Sequence, residues 1–169
     1  EQAEHDDPFP DLPLPALLHE VMAPFEPTRV PVEIVTPWGK GGGPPMPRSP
    51  ELLHGLHNIF ANALRHATSR VQAVAGDEAD DIWLRIEDDG PGFPPELLPQ
   101  LGEPFLGPSI SRSQSTGLGI FIATTLLERT GGHLLFSNRP QGGARVELVW
   151  RRADIELAQQ HRLDRNGEP

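Results

Sequence analysis

Between Pro50 and about Ser69, apolar residues fall at Leu52, Leu53, Leu56, Ile59, Phe60, Ala63 and Leu64, the three-and-four spacing of a helix with one buried stripe. Gly55, Asn58, Asn62 and Arg65 gather on the opposite side, so the spacing predicts that they face away from the core. A shorter stripe at 14–23 predicts an amphipathic helix. VPVEIVT at 31–37 alternates and is rich in β-branched residues, as a half-buried strand is. RVQAVAG and IWLRIED, at 70–76 and 82–88, predict a hairpin around a polar turn. Residues 116–132, TGLGIFIATTLLERTGG, predict a helix that is apolar nearly all round, and therefore buried, stopped at Gly131 and Gly132. HLLFSN and ARVELVW predict two closing strands, and the charged stretch 151–169 a tail that frays or forms a final helical turn. Helices and strands mixed in this way imply an α/β fold, a two-layer sandwich of a mixed β-sheet and helices.

Composition narrows the picture. With 169 residues and 37% hydrophobic content, the chain has the size of one domain with a single core. The acidic, proline-punctuated stretch 1–13 reads as a linker remnant, 14–151 as the domain and 152–169 as a charged tail. There is no cysteine, which excludes disulfides and thiolate metal sites. No apolar run is long enough to span a bilayer, EQAEHDD is not a signal peptide, and no direct membrane contact is expected. A net charge of -10 and a single lysine, Lys40, argue against a nucleic-acid surface. A bound polyanion would have to be held locally.

Three stretches carry candidate chemistry. HNIFANALRHA, 57–67, spends two mediocre helix formers, Asn58 and Asn62, on one polar stripe and follows them with Arg65 and His66. A solvated face is the plain alternative, but such faces favour Glu, Lys and Gln. A carboxamide oxygen can serve a cation, and a guanidinium can serve phosphate. IEDDGPGF, 86–93, runs a strand into carboxylates and closely spaced glycines. It reads either as an ordinary turn or as Asp88 accepting from an adenine amine while Gly90 and Gly92 let the backbone approach the ring. STGLGIFIA, 115–123, opens a helix with Thr116, Gly117, Leu118 and Gly119. It is either a close-packed helix start or a phosphate site at the positive end of the helix dipole.

In this order the stretches resemble the ATP-binding catalytic domain of two-component sensor histidine kinases, within the GHKL superfamily. HNIFANALRHA resembles the N box, DDGPGF the first glycine box, GEPF at 102–105 the F box, and STGLGIFIA the second glycine box. GGHLLFSNRPQGGARVELVW is similar to the closing strands, and the lead-in HDDPFPDLPLPALLHEVMAPF resembles the redox-responsive RegB/PrrB branch. The resemblance implies a Bergerat-type fold, ATP and Mg²⁺ as cofactors, and a cytoplasmic location within an inner-membrane sensor kinase. It also implies Asn62 as the Mg²⁺ ligand, Asn58 beside the phosphates, Arg65 and His66 on the nucleotide, and Asp88 on adenine. Residues 94–115 would form an ATP lid anchored by Phe105, with Arg112 reaching the γ-phosphate. The implied partners are a histidine-containing dimerisation domain and, indirectly, a response regulator.

Two departures weaken the match. Ser115 replaces the usual first glycine of the second glycine box, and Gly143-Ala144 lacks a hydroxyl that commonly supports the adenine-binding aspartate. Within GHKL hydrolases a glutamate stands where this chain has Asn58. A neutral amide accepts no proton at pH 7, so slow hydrolysis is expected. A GHKL-type ATPase, an anti-sigma-type serine kinase and a nucleotide-dependent interaction module are the alternatives. HEVMAPF, from His19, superficially matches a phosphoacceptor signature, but too few residues follow it for a second hairpin helix. GKGGG at 39–43 lacks P-loop spacing. His54, His57 and His66 share one helix, and His54 and His57 could chelate a metal in principle, but without carboxylates or a third ligand at suitable spacing they read as surface histidines.

Overall fold

A computed structural model of the protein describes residues 10–101 and 114–166, apart from the side chains of 114–117 and 166. Its elements are β1 (Leu12–Pro13), α1 (Leu14–Met22), β2 (Val32–Val35), β3 (Pro45–Met46), α2 (Pro50–His66), β4 (Val71–Glu78), β5 (Asp81–Asp88), α3 (Gln114–Glu128), β6 (Gly132–Asn138), β7 (Ala144–Arg151) and α4 (Arg152–Asn166). The main sheet has the order β2-β4-β5-β7-β6. Its β2–β4 pair is parallel and the others antiparallel, so the sheet is mixed, as expected.

Register decides which side chains meet the helices. Val71 faces Asp88, Ala73 faces Ile86 and Ala75 faces Leu84, and the next ladder sets Leu84 opposite Leu148 and Ile86 opposite Val146. Apart from the buried carboxylate of Asp88, these positions join Leu52, Leu56, Ile59 and Phe60 of α2 and Ile120, Ala123 and Leu127 of α3 in one hydrophobic cluster. Fully burying each large aliphatic or aromatic side chain contributes about 1.5–3 kcal/mol. The intervening residues Gln72, Arg85, Glu87 and Glu147 stand on the other face of the sheet.

The ends of α2 are defined by side chains. Ser49 caps its start by accepting from the Leu52 N–H at 3.2 Å, and Pro50 occupies the first helical turn, where no N–H is needed. At the other end the Arg29 guanidinium donates to the carbonyls of Leu64, at 2.9 Å, and Ala67, groups that would otherwise lack partners.

The structure departs from the sequence reading in three places. Gly55 is buried with the core residues rather than sharing the exposed stripe. The reason is α3: a Cβ at Gly55 would come within 2.5 Å of Leu127 Cγ, so the glycine marks the point where the two helices touch. Second, α3 is not buried all round. Ile120, Ala123, Thr124 and Leu127 are, but Leu118 and Ile122 are 47% and 40% exposed, because a helix on one side of a two-layer sandwich keeps an outer face. Third, the charged stretch after β7 is a 15-residue helix, α4, rather than a frayed tail or single turn. It is seated by the buried Ile155, by the Arg152 N–H donating to the Asp80 carbonyl at 2.7 Å, and by an Arg152–Asp77 ion pair. The pairing of Leu12 with Met46 in β1 and β3 was not legible either, each strand being two residues long and containing proline.

Candidate functional site

The last two turns of α2, the end of β5 and the turn between β6 and β7 converge. Asp88 closes β5 and is only 3% exposed. One of its oxygens, Oδ1, accepts from the Gly90 N–H at 2.8 Å and from the Ala144 N–H at 3.4 Å. Burial pushes its carboxyl above the usual range, the two N–H groups and the nearby His66 imidazole oppose that rise, and the Asp89 charge adds to it. Oδ2 has no hydrogen-bond partner among the described residues.

Asp89 behaves in the opposite way, and nothing in its residue type distinguished it in advance. Its carboxylate accepts from the backbone N–H groups of Thr68, Ser69 and Arg70 and from the Ser69 hydroxyl. Those bonds, led by the one from the Ser69 hydroxyl, hold it well below the usual carboxylate range. Asp89 therefore ties the α2–β4 connection to the end of β5. Gly90 completes the junction: a Cβ there would lie 2.1 Å from the His66 carbonyl oxygen, so only glycine lets this strand end pass so close to the end of α2.

Asn58 and Asn62 are half-buried on α2, Arg65 is exposed and His66 half-buried. Neither carboxamide has a hydrogen-bond partner among the described residues. Gly55, one turn before Asn58, is where α3 packs on α2, so α3 runs beside the asparagine stripe. Gly117 and Gly119 lie inside the first turns of α3, which begins at Gln114, rather than in a turn preceding it. A Cβ on Gly119 would meet nothing within 4 Å, and Leu118 beside it is exposed.

The structure thus brings Asp88, Gly90 and His66 together and sets Asn58 and Asn62 on the helix that His66 ends. Phe105 and Arg112, and with them GEPF and most of the lid expected over 94–115, lie outside the described residues, as does the Thr116 side chain. The described start of that segment is a turn followed by a single 3₁₀ turn at Leu98–Gln100. His54 is exposed, but His57 is not simply a surface residue: it stacks on Phe25 with ring centroids 4.4 Å apart, and burial lowers its pKa. No group of three or more His, Cys, Asp or Glu able to hold a metal ion occurs among the described residues. His19 is exposed on the nine-residue α1, which leads through a 3₁₀ turn to β2 rather than to a second hairpin helix. No helix of the described residues is long and apolar enough to cross a membrane.

The family described as histidine kinase-, DNA gyrase B-, and HSP90-like ATPase matches residues 48–154, from just before α2 into α4. Sensor histidine kinase RegB of Cereibacter sphaeroides is 38% identical over 160 aligned positions, covering 82% of this chain but 35% of that protein. The chain therefore spans about a third of the length of this relative. Among solved structures, the catalytic domain of histidine kinase ThkA superposes with a TM-score of 0.69 at 22% identity, over 85% of this chain and 95% of that one. The histidine kinase domain of the Escherichia coli osmosensor EnvZ gives 0.63 at 26% identity, over 84% and 88% of the two chains.

Proposed function

Since the chain belongs to the histidine kinase-, DNA gyrase B-, and HSP90-like ATPase family, we propose that residues 14–151 are the catalytic domain of a sensor histidine kinase. In this reading the domain binds ATP with Mg²⁺ and passes the γ-phosphoryl group to a histidine on a separate dimerisation domain. The observation that carries the nucleotide reading is Asp88: a buried carboxylate with one oxygen held by two backbone N–H groups and the other free to accept from an adenine amine.

Each residue then has a task. Asp88 selects adenine, and Gly90 and Gly92 keep the adjoining backbone clear of the ring. Asn62 offers a hard, neutral oxygen suited to Mg²⁺, which characteristically takes few protein ligands alongside phosphate oxygens and water. The bound ion would neutralise triphosphate charge. Asn58 lies beside the phosphates, and Arg65 and His66 supply further polar contacts at the end of α2. Thr116, Gly117, Leu118 and Gly119 present the start of α3 to the phosphates, where the helix dipole favours an anion in a chain of net charge -10. Phe105 and Arg112, which the family resemblance assigns to the lid, lie outside the described residues.

Phosphoryl transfer needs positioning and charge stabilisation more than covalent help from the protein. An imidazole nitrogen of the partner domain attacks the γ-phosphorus as the bond to the β,γ-bridging oxygen breaks; ADP leaves and the imidazole gives up its N–H proton. Asn58 cannot deprotonate water, which disfavours hydrolysis as the main outcome. The 38% identity to RegB supports a place in the redox-responsive branch, with the domain on the cytoplasmic side of an inner-membrane sensor and a response regulator downstream.

The test is to mix the protein with the dimerisation domain of its parent kinase and γ-labelled ATP. Acid-labile, alkali-stable label on that domain is expected. Label released only as free phosphate would favour an ATPase, and tight nucleotide binding with neither product would favour an interaction module.

A further inference from the structure

The segment from Asp88 to Phe93 is held from two sides. Asp89 ties it to the end of α2, as described above. The other side is the turn between β6 and β7, whose contacts converge on the same six residues. The Asn138 carboxamide pairs with the backbone of Phe93 at both of its groups, accepting from the N–H at 2.7 Å and donating to the carbonyl at 2.8 Å. That two-point pairing gives Phe93, which belongs to no strand among the described residues, what a neighbouring strand would offer. Arg139 donates from Nη1 to the Asp88 carbonyl at 3.0 Å. Its Nε lies 3.4 Å from Glu87, a carboxylate only 8% exposed that is also held by Arg145 at 2.6 Å.

The turn is shaped to make these contacts. The Arg139 N–H donates to the Gly143 carbonyl at 2.8 Å, closing the turn, and the Ala144 N–H then reaches Asp88 Oδ1. Gly143 has φ of +101°, and a Cβ there would sit 1.9 Å from the Asp88 carbonyl oxygen. A Cβ on Gly92 would likewise lie 2.7 Å from the Asn138 oxygen. Asp88 is therefore fixed at its main chain by Arg139 and at its side chain by Ala144, while Asn138 fixes the far end of the same loop.

We propose that Asn138 and Arg139 are positioning residues for purine recognition: together they set the direction in which the free oxygen of Asp88 points and the path of the backbone that borders the base. Their contacts go to Glu87, Asp88 and Phe93, away from the α2 carboxamides and the start of α3, so their influence is expected to fall on the base rather than on the phosphates. The inference rests on the nucleotide reading of Asp88, and it assigns to a side-chain amide and a guanidinium the bracing that a hydroxyl at position 144 would otherwise share.

The experiment compares wild type, Asn138→Ala, Arg139→Gln and Arg139→Lys in calorimetric titrations with a non-hydrolysable ATP analogue, its guanine counterpart and inorganic triphosphate, all with Mg²⁺. Thermal melting is followed in parallel. For Asn138→Ala we expect affinity for the adenine compound to fall severalfold or more, up to a ceiling of roughly 150-fold set by two lost neutral hydrogen bonds. Triphosphate binding should stay within about twofold, the adenine-over-guanine preference should narrow, and Arg139→Lys should recover part of what Arg139→Gln loses. Equal losses for the analogue and triphosphate, or a lowered melting temperature with unchanged base preference, would overturn the proposal and leave a purely structural turn. Should Asn138→Ala fail to fold, the Arg139 pair decides by the same criterion. Asp88→Asn serves as the control: if it too fails to separate adenine nucleotide from triphosphate, the nucleotide reading itself falls, whereas a discriminating Asp88→Asn beside an indifferent Asn138→Ala and Arg139→Gln refutes the brace alone.

Discussion

Asp88 and Asp89 are adjacent carboxylates with opposite environments, and the difference separates function from stability at the scale of single residues. Burial raises the Asp88 pKa, because removal from water penalises the charged form. Its contribution to stability is full below the ordinary carboxylate range and is lost as pH rises through the raised value. Asp88→Asn keeps an oxygen for the Gly90 and Ala144 N–H groups but turns an NH₂ toward the base. At neutral pH we expect it to melt no lower than wild type, and to lose roughly 10- to 150-fold in affinity for adenine nucleotides, the scale of a hydrogen bond to a charged group. Equal weakening of inorganic triphosphate in the same titration would show that Asp88 does not read the base. Asn62→Ala should leave nucleotide affinity with Mg²⁺ close to that measured with a chelator; an unchanged dependence on Mg²⁺ would remove Asn62 as the ligand. The sequence marked the asparagines because they are unusual in a helix, and Asp88 because it ends a strand just before two closely spaced glycines. It could not mark Asp89, Asn138 or Arg139, whose partners are 19 to 21, 45 and 51 positions away along the chain.

At the scale of elements, the Asp89 bonds make the α2–β4 connection sensitive to acid. Its pKa is lowered, so its stabilisation is present above the ordinary carboxylate range and is lost as pH falls below about 4. Melting temperature followed from pH 6 down to pH 3, in buffers at about those values, should decline more steeply for wild type than for Asp89→Asn; parallel curves would show that the clamp contributes nothing. Gly55→Val tests the α2–α3 contact. Its methyls would enter space filled by Leu127, and overpacking of this kind costs about 1–3 kcal/mol, readable by urea denaturation. An unchanged midpoint would mean that the helices yield there. The hairpin and the closing strands were legible because their alternation is local. The role of Gly55 was not, because on a helical wheel it sits at the border of the apolar and polar faces and only the position of α3 decides which it joins. The exposure of Leu118 and Ile122 was hidden for the same reason: an apolar surface signals burial unless the layer count is known.

For the whole molecule, a two-layer sandwich joins the buried residues of α1, α2 and α3 to one face of a mixed sheet, and the candidate site lies where the end of β5 meets the end of α2. The fold was legible as a class, from the order of periodic segments, but the conversion of the charged C-terminal stretch into α4 was not. That helix has Ile155 as its buried anchor, and one residue makes no periodic signal. In the proposed function a purine triphosphate and a divalent ion bind together between the carboxamides of α2 and the buried carboxylate of β5. The most direct measurement is calorimetric titration of the protein with a non-hydrolysable ATP analogue, in Mg²⁺ and again in chelator. Saturable one-to-one binding that weakens markedly without the metal is the predicted result. No heat in either buffer, or binding of equal strength in both, would contradict it.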